Sequence, residues 1–337
     1  QERLAEQTRY TALTNLQGLH QLPELMARLE GRVPLIALKG ACLARTSYRD
    51  ISLRPMRDLD VLAQSQDMAS VGQQLRQLGY EQDRRFEETW AHLHQEPTFF
   101  KTDVLAVELH RSLLDKNTIF DIDYDGLWSR AVPVKDIPGL LYLAPEDQLI
   151  HVCLHAGYSH ELAIGLYAFA DIAMMAGMPS LNWALVTERT LSWKAGRCVF
   201  LTLKMAEILV GAVIPAEVMT ALRPADFSDD VLNRALDAVH HKLVEGYVPA
   251  SLFTQLIVTI FDHERLQKLP GKIKRRFLLR RAERQTWKDS PHQPSWYGQL
   301  EPLVKGIIDL AVSRTKRDQL RARLNGTRLR RWLACDQ

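Results

Sequence analysis

Arg54-Pro55-Met56-Arg57-Asp58-Leu59-Asp60-Val61-Leu62-Ala63 places two carboxylates one residue apart at the head of an apolar run. Side chains on a strand alternate between faces, so Asp58 and Asp60 share one face while Leu59 and Val61 turn toward a core. Acids held that close repel each other unless a cation compensates. Mg²⁺ suits the position, because it takes oxygen ligands and keeps waters and substrate phosphates in its shell. The pair points to metal-dependent phosphoryl or nucleotidyl transfer. Asp-X-Asp alone is also an ordinary strand-end pattern, so the neighbouring sequence must carry the reading further.

Upstream, Leu13, Leu16, Leu19, Leu22, Leu25, Met26 and Leu29 recur at helical spacing and predict one or two helices over 2–30. Gly31-Arg32 breaks the pattern, 33–38 reads as a short buried strand, and Lys39-Gly40 follows it. Glycine after a strand permits a tight turn and close backbone approach to a ligand. Lysine beside it meets a phosphate as a point charge. A plain strand-to-helix turn has the same composition. Residues 41–48 are predicted helical, 49–56 form a loop carrying Arg54, 58–62 a strand, and 67–78 a helix ended by Gly79.

Downstream, 98–101 and 104–110 are β-rich runs around Thr102-Asp103, the pattern of a hairpin. On the second strand Val104, Ala106, Glu108 and His110 share one face, and Leu105, Val107 and Leu109 the other. Glu108 thus interrupts an apolar face, where an ionisable group is costly unless paired or coordinated. It is the candidate third carboxylate beside Asp58 and Asp60; a solvated strand-end acid is the alternative. Arg54, Arg57 or Lys39 can balance the charge of a departing pyrophosphate, and Arg57 can equally serve as a structural partner of Asp58.

The order Leu38-Lys39-Gly40, Arg57-Asp58-Leu59-Asp60-Val61-Leu62 and Val107-Glu108-Leu109-His110 resembles the polymerase-β-type nucleotidyltransferase superfamily. More narrowly it is similar to the minimal nucleotidyltransferases of bacterial biosynthetic clusters, and its Lys-Gly and Arg-X-X-Asp-X-Asp spacing to nucleotidyltransferase-type toxins. The resemblance covers about residues 33–112. It implies that Gly40, with Lys39, Arg54 and Arg57, binds the nucleotide, and that Asp58, Asp60 and Glu108 are catalytic and hold Mg²⁺ (or Mn²⁺). It also implies an NTP as donor. Where the superfamily usually has Gly-Ser or Gly-Gly, Ala41 follows Gly40, and Lys39 supplies the neighbouring cation.

Past 121–134, read as a connection, Pro145-Glu146-Asp147 opens a strongly helical region that continues through 261. His151 and His155 lie four apart on one helix face, with His160 beyond. Without a third ligand at a telling spacing, packing and hydrogen bonding are the expected roles. Related enzymes carry a histidine in this helix, so His155, like His110, is a candidate substrate contact. Asp171 is a candidate partner for His155.

Charge is segregated. From Arg265 onward there are 19 Lys+Arg against 6 Asp+Glu, while the rest of the chain has 24 against 34. The runs 272–281 and Arg321, Arg323, Arg328, Arg330 and Arg331 suit an RNA backbone, an anionic membrane surface or an acidic substrate, or else a solvated helix face. The 337 residues have an ordinary globular composition, no apolar run of membrane-spanning length, no signal-like leader and four scattered cysteines without a CxxC pair. A cytoplasmic location is expected.

The expected fold is α+β: residues 1–30 helical, 31–140 a small mixed-sheet nucleotidyltransferase domain, and 141–337 a mostly α-helical domain ending in the basic tail. The expected activity is nucleotidyl transfer from an NTP to an anionic acceptor, such as a phosphorylated peptide, a sugar phosphate or RNA. The alternatives are phosphoryl or sugar-phosphate transfer from a nucleotide-activated donor, and a catalytically silent nucleotide-binding protein on the same fold.

Overall fold

The alternation around Asp58 builds the centre of a mixed seven-stranded sheet in this computed structural model, which describes residues 2–82, 97–114, 119–245 and 325–334. Strand β1 (Leu35–Ala37) lies between antiparallel β2 (Asp58–Leu62) and parallel β7 (Leu140–Tyr142). β2 runs parallel to β5 (Ala106–His110), with Asp60 opposite Glu108 and Leu62 opposite His110. β4 (Phe99–Phe100) and β3 (Glu81–Gln82) extend the sheet beyond β5, and β6 (Val132–Pro133) pairs with β7 at the other edge. The hairpin expected around Thr102-Asp103 joins β4 to β5, and Asp103 takes a left-handed φ of 63°, a conformation aspartate tolerates in turns.

One face of the sheet is apolar. Leu59, Val61, Val107 and Leu109 are at most 2% exposed and pack with Leu19, Leu22, Leu25 and Met26 of α1 (Glu2–Arg28) and with Val71 and Leu75 of α3 (Met68–Gln77). Each such side chain contributes about 1.5–3 kcal/mol when fully buried. Between β1 and β2 lies α2 (Lys39–Thr46).

Helix α1 is continuous through Pro23. Its inner stripe runs Thr11, Asn15, Leu19, Leu22 and Met26, while Leu13 and Leu16 are 63% and 56% exposed. The leucine spacing thus marks the helix but not its whole inner face, which carries Asn15. That amide donates to the carbonyls of Ile51 and Arg54 and accepts from the Met56 N–H. It fixes the loop leading into β2.

Residues 121–134 are more than the expected connection. They contain α4 (Tyr124–Arg130), capped by Asp123 accepting from the Gly126 N–H, and strand β6. Strands of two or three residues are too short to display alternation, which is why β6 and β7 escape a periodicity reading. The helical region then comprises α5 (Pro145–Leu154), a π-type turn (His155–Ser159), α6 (Tyr167–Ala176), α7 (Trp183–Ser192), α8 (Gly196–Val210), α9 (Ala216–Leu222), α10 (Asp229–Glu245) and a helix over 325–333. The fold class is α+β.

The chain divides into two compact units, one of Gln1–His160, Leu166–Phe227 and Ala334–Gln337, the other of Glu161–Gly165 and Ser228–Leu333. The sheet and α1–α9 belong to the first. In the second, Arg330 lies 3.5 Å from Glu161. The basic run 272–281, with Arg321 and Arg323, lies outside the described residues. Among the described residues no helix is long and apolar enough to cross a membrane.

Candidate active site

Parallel pairing of β2 with β5 in register brings their polar faces together. Asp58 and Asp60 project from β2, Glu108 and His110 from β5, on the side opposite Leu59, Val61, Val107 and Leu109. One oxygen each of Asp60 and Glu108 and a ring nitrogen of His110 all lie within 4.8 Å of one another. Asp60 is 3% exposed. Its Oδ1 accepts from the Lys39 ammonium at 2.7 Å and lies 2.8 Å from His110 Nε2, which is also 3.7 Å from Glu108 Oε2.

Lys39 owes its reach to an uncommon backbone. Its φ is +44°, in the left-handed region that non-glycine residues rarely adopt. The turn after β1 was expected to depend on Gly40 for conformational freedom, yet the left-handed residue is Lys39. Gly40 is closely packed instead: a Cβ there would stand 3.0 Å from Met56 Cγ.

The charges do not balance. Burial opposes ionisation of Asp60, but the Lys39 charge and the His110 hydrogen bond hold its carboxyl well below the ordinary range. Asp58 is pushed up by burial and by the negative charge of Asp60, against the pull of Lys39, Arg54 and Arg57. Burial and the Asp60 charge raise Glu108 to about 7. Asp60 therefore takes the ammonium and the imidazole, while Asp58 and Glu108 resist ionisation because burial and the Asp60 charge outweigh the cations near them. A hard, oxygen-seeking divalent cation such as Mg²⁺ or Mn²⁺ fits the carboxylates of that donor set.

Arg54 is turned elsewhere. Its Nε and Nη2 donate to the Asp171 carboxylate of α6 at 2.7 and 2.9 Å, and Nη1 donates to the Pro55 carbonyl. Tyr48 donates to the same carboxylate at 2.7 Å. Asp171, 2% exposed, is thus partnered by Arg54 and Tyr48 instead of His155. Helical periodicity gave no signal of this pairing, because the partners lie 117 and 123 residues apart. Arg57 is exposed, and its charge acts on Asp58.

His155 sits at the end of α5, partly buried, and feels the charges of Lys39 and Asp60. Burial, then the Lys39 charge, hold its imidazole well below the ordinary range. Its nearest ring is His160, with centroids 4.5 Å apart, whereas His151 stands at 6.2 Å.

No curated protein and no solved structure matches this chain. A family model described as "Uncharacterised nucleotidyltransferase" matches residues 1–211, which include all of β1–β7, the acid face and α1–α8. With nearly two thirds of its length matched, the chain belongs to that nucleotidyltransferase family.

Proposed function

We propose that the protein transfers a nucleotidyl group from an NTP to an anionic acceptor, using the Asp58–Asp60–Glu108 face. The observation that carries this reading is the in-register pairing of Asp60 with Glu108, on a face with more carboxylates than cations. Asp58, Asp60 and Glu108 would hold Mg²⁺ or Mn²⁺, which when bound neutralises phosphate charge and orients the α-phosphoryl group and the leaving pyrophosphate. Asp60 stays ionised throughout the neutral range, and Asp58 and Glu108 gain full charge when positive charge arrives beside them.

The remaining residues divide the work of binding. Exposed Arg57 faces the phosphates as a bidentate donor. Lys39, set between β1 and the acid face, meets them as a point charge. Arg54 acts through the loop: tied to Asp171 and to Asn15 through its own carbonyl, it fixes where Arg57 and Asp58 stand. His110 orients Asp60, and His155 borders the same face as a contact for the acceptor. The acceptor itself is assigned as anionic from the basic composition of the last 73 residues.

The test is turnover of ATP, GTP, CTP and UTP with Mg²⁺ or Mn²⁺ in the presence of cell extract, followed by mass spectrometry. A nucleotide-monophosphate increment on an acceptor, absent in Asp58→Ala and Asp60→Ala, supports the reading. A phosphate or sugar-phosphate increment replaces it with another group transfer. Metal-linked NTP binding with no product from any acceptor leaves a nucleotide-binding protein without catalysis.

A further inference from the structure

We propose that His155 and His160 form a second metal site, a two-imidazole chelate for a borderline divalent cation such as Zn²⁺, whose ligands are not those of the carboxylate cluster. The inference does not depend on nucleotidyl transfer.

The two Nε2 atoms are 3.1 Å apart, and the rings meet at 78°. Two nitrogens bound to one tetrahedral Zn²⁺ at 2.0–2.1 Å are separated by about 3.3 Å, so the pair already has nearly the spacing of a chelate. The backbone creates this spacing. Residues five apart lie well round the cylinder from each other on a regular α-helix. Here α5 gives way to a π-type turn over His155–Ser159, closed by the His160 N–H donating to the His155 carbonyl at 3.2 Å. The wider turn brings side chains i and i+5 onto one side. Such π-turns recur at functional sites, because they give up regular helix geometry to aim a side chain.

The chemistry of the pair selects the ligand. His155 is kept unprotonated by burial and by the nearby Lys39 charge, which is the state a metal requires and a phosphate does not. Imidazole nitrogens favour Zn²⁺, Ni²⁺ or Cu²⁺ over Mg²⁺. His160 is exposed and His155 partly so, giving the cation access from solution. With two protein ligands the remaining positions fall to water or to a substrate oxygen. The same 3.1 Å distance also fits a simple N–H···N hydrogen bond between the rings, and that is the competing account.

The test is calorimetric titration of the full chain with Zn²⁺ alone, repeated in Asp60→Asn, which disables the carboxylate face. The expected result is a Zn²⁺ site that persists in Asp60→Asn, and that weakens at least about tenfold in His160→Ala, a loss of about 1.4 kcal/mol or more. His20→Ala, an exposed histidine on α1, should bind as the wild type does. Unchanged circular dichroism of His160→Ala shows that the loss is of a ligand and not of the fold. If His160→Ala keeps wild-type Zn²⁺ affinity and stoichiometry, or if Zn²⁺ uptake disappears in Asp60→Asn, the proposal is overturned. Because His160 is exposed, its replacement decides the matter even if His155→Ala fails to fold.

Discussion

Asp147 and Asp60 are both almost wholly buried, but their surroundings differ in kind. Asp147, at 0% exposure in the first turn of α5, accepts from Arg130 at 3.1 Å and from Arg189 at 3.1 Å. Neighbouring Glu146 accepts from Arg189 at 3.3 Å and from the Asn182 N–H at 3.1 Å. Asp171 likewise has Arg54 and Tyr48. Among the described residues of the helical region, the buried acids Glu146, Asp147 and Asp171 are matched by donors: the Glu146 and Asp147 pairs tie α4, α5 and α7 together, and the Asp171 pairs tie α6 to Tyr48 and Arg54 ahead of β2. On the sheet, Lys39 and His110 both bond Asp60, while Asp58 and Glu108 are held in their neutral forms by burial and by the Asp60 charge. Charge that is balanced within the protein is architecture; charge left over is available to something that binds.

That contrast is open to test from both sides, and the largest effect is expected on activity. Asp58→Ala and Asp60→Ala should each lower metal-dependent NTP turnover by about a thousandfold or more, about 4 kcal/mol in barrier, with circular dichroism unchanged. Asp147→Ala should do the reverse. It leaves two arginines without their main acceptor and should cost about 3–5 kcal/mol of stability, read by urea unfolding. An Asp147→Ala protein as stable as the wild type would break the comparison.

A smaller effect is expected at Lys39. Lys39→Met removes the ammonium from a buried carboxylate, so the metal-free protein should lose about 3 kcal/mol, toward the lower end for a broken buried pair. Part of that loss should return on adding Mn²⁺, since a ligand that binds only the folded state stabilises it. Equal melting temperatures with and without Mn²⁺ would contradict the account.

The smallest effect is in the pH dependence of stability. Glu108 is held at about 7 in the fold against an ordinary value of 4.5. Between those values the folded chain keeps a proton on Glu108 that the unfolded chain has lost, so in EDTA the Glu108 contribution to stability falls as pH rises from about 4.5 to about 7 and then levels. His155, held below its ordinary value, acts in the opposite direction as pH approaches 6.5. Asp58, also raised, acts in the same direction at lower pH. The stability of the wild type relative to Glu108→Gln should therefore fall from about pH 4.5 to about pH 7, and a difference that rises across this window would be inconsistent with the charge deficit.

Much of this geometry is visible in the chain itself. Alternation puts Asp58 with Asp60 and Glu108 with His110 on single faces, and each strand's apolar partners on the other. What alternation cannot supply is which strands pair and in what register, because that depends on contacts some 48 residues apart. The left-handed Lys39 was equally hidden, since lysine carries no turn signal. Asn15 and the pairing of Arg54 with Asp171 carried no signal in the sequence for a common reason. A polar residue on a buried helix stripe and an arginine facing a distant aspartate are set by tertiary partners, and local pattern is silent about them. The basic run at 272–281 remains a reading of composition alone.

The most direct measurement of the central claim is Mn²⁺ binding by the full chain, followed by calorimetry in the wild type, Asp60→Asn, Glu108→Gln and Asp147→Asn. The charge-deficit account predicts a Mn²⁺ site that is lost in the first two variants and retained, at unchanged affinity, in folded Asp147→Asn. Mn²⁺ affinity that is indifferent to Asp60 and Glu108 would contradict it.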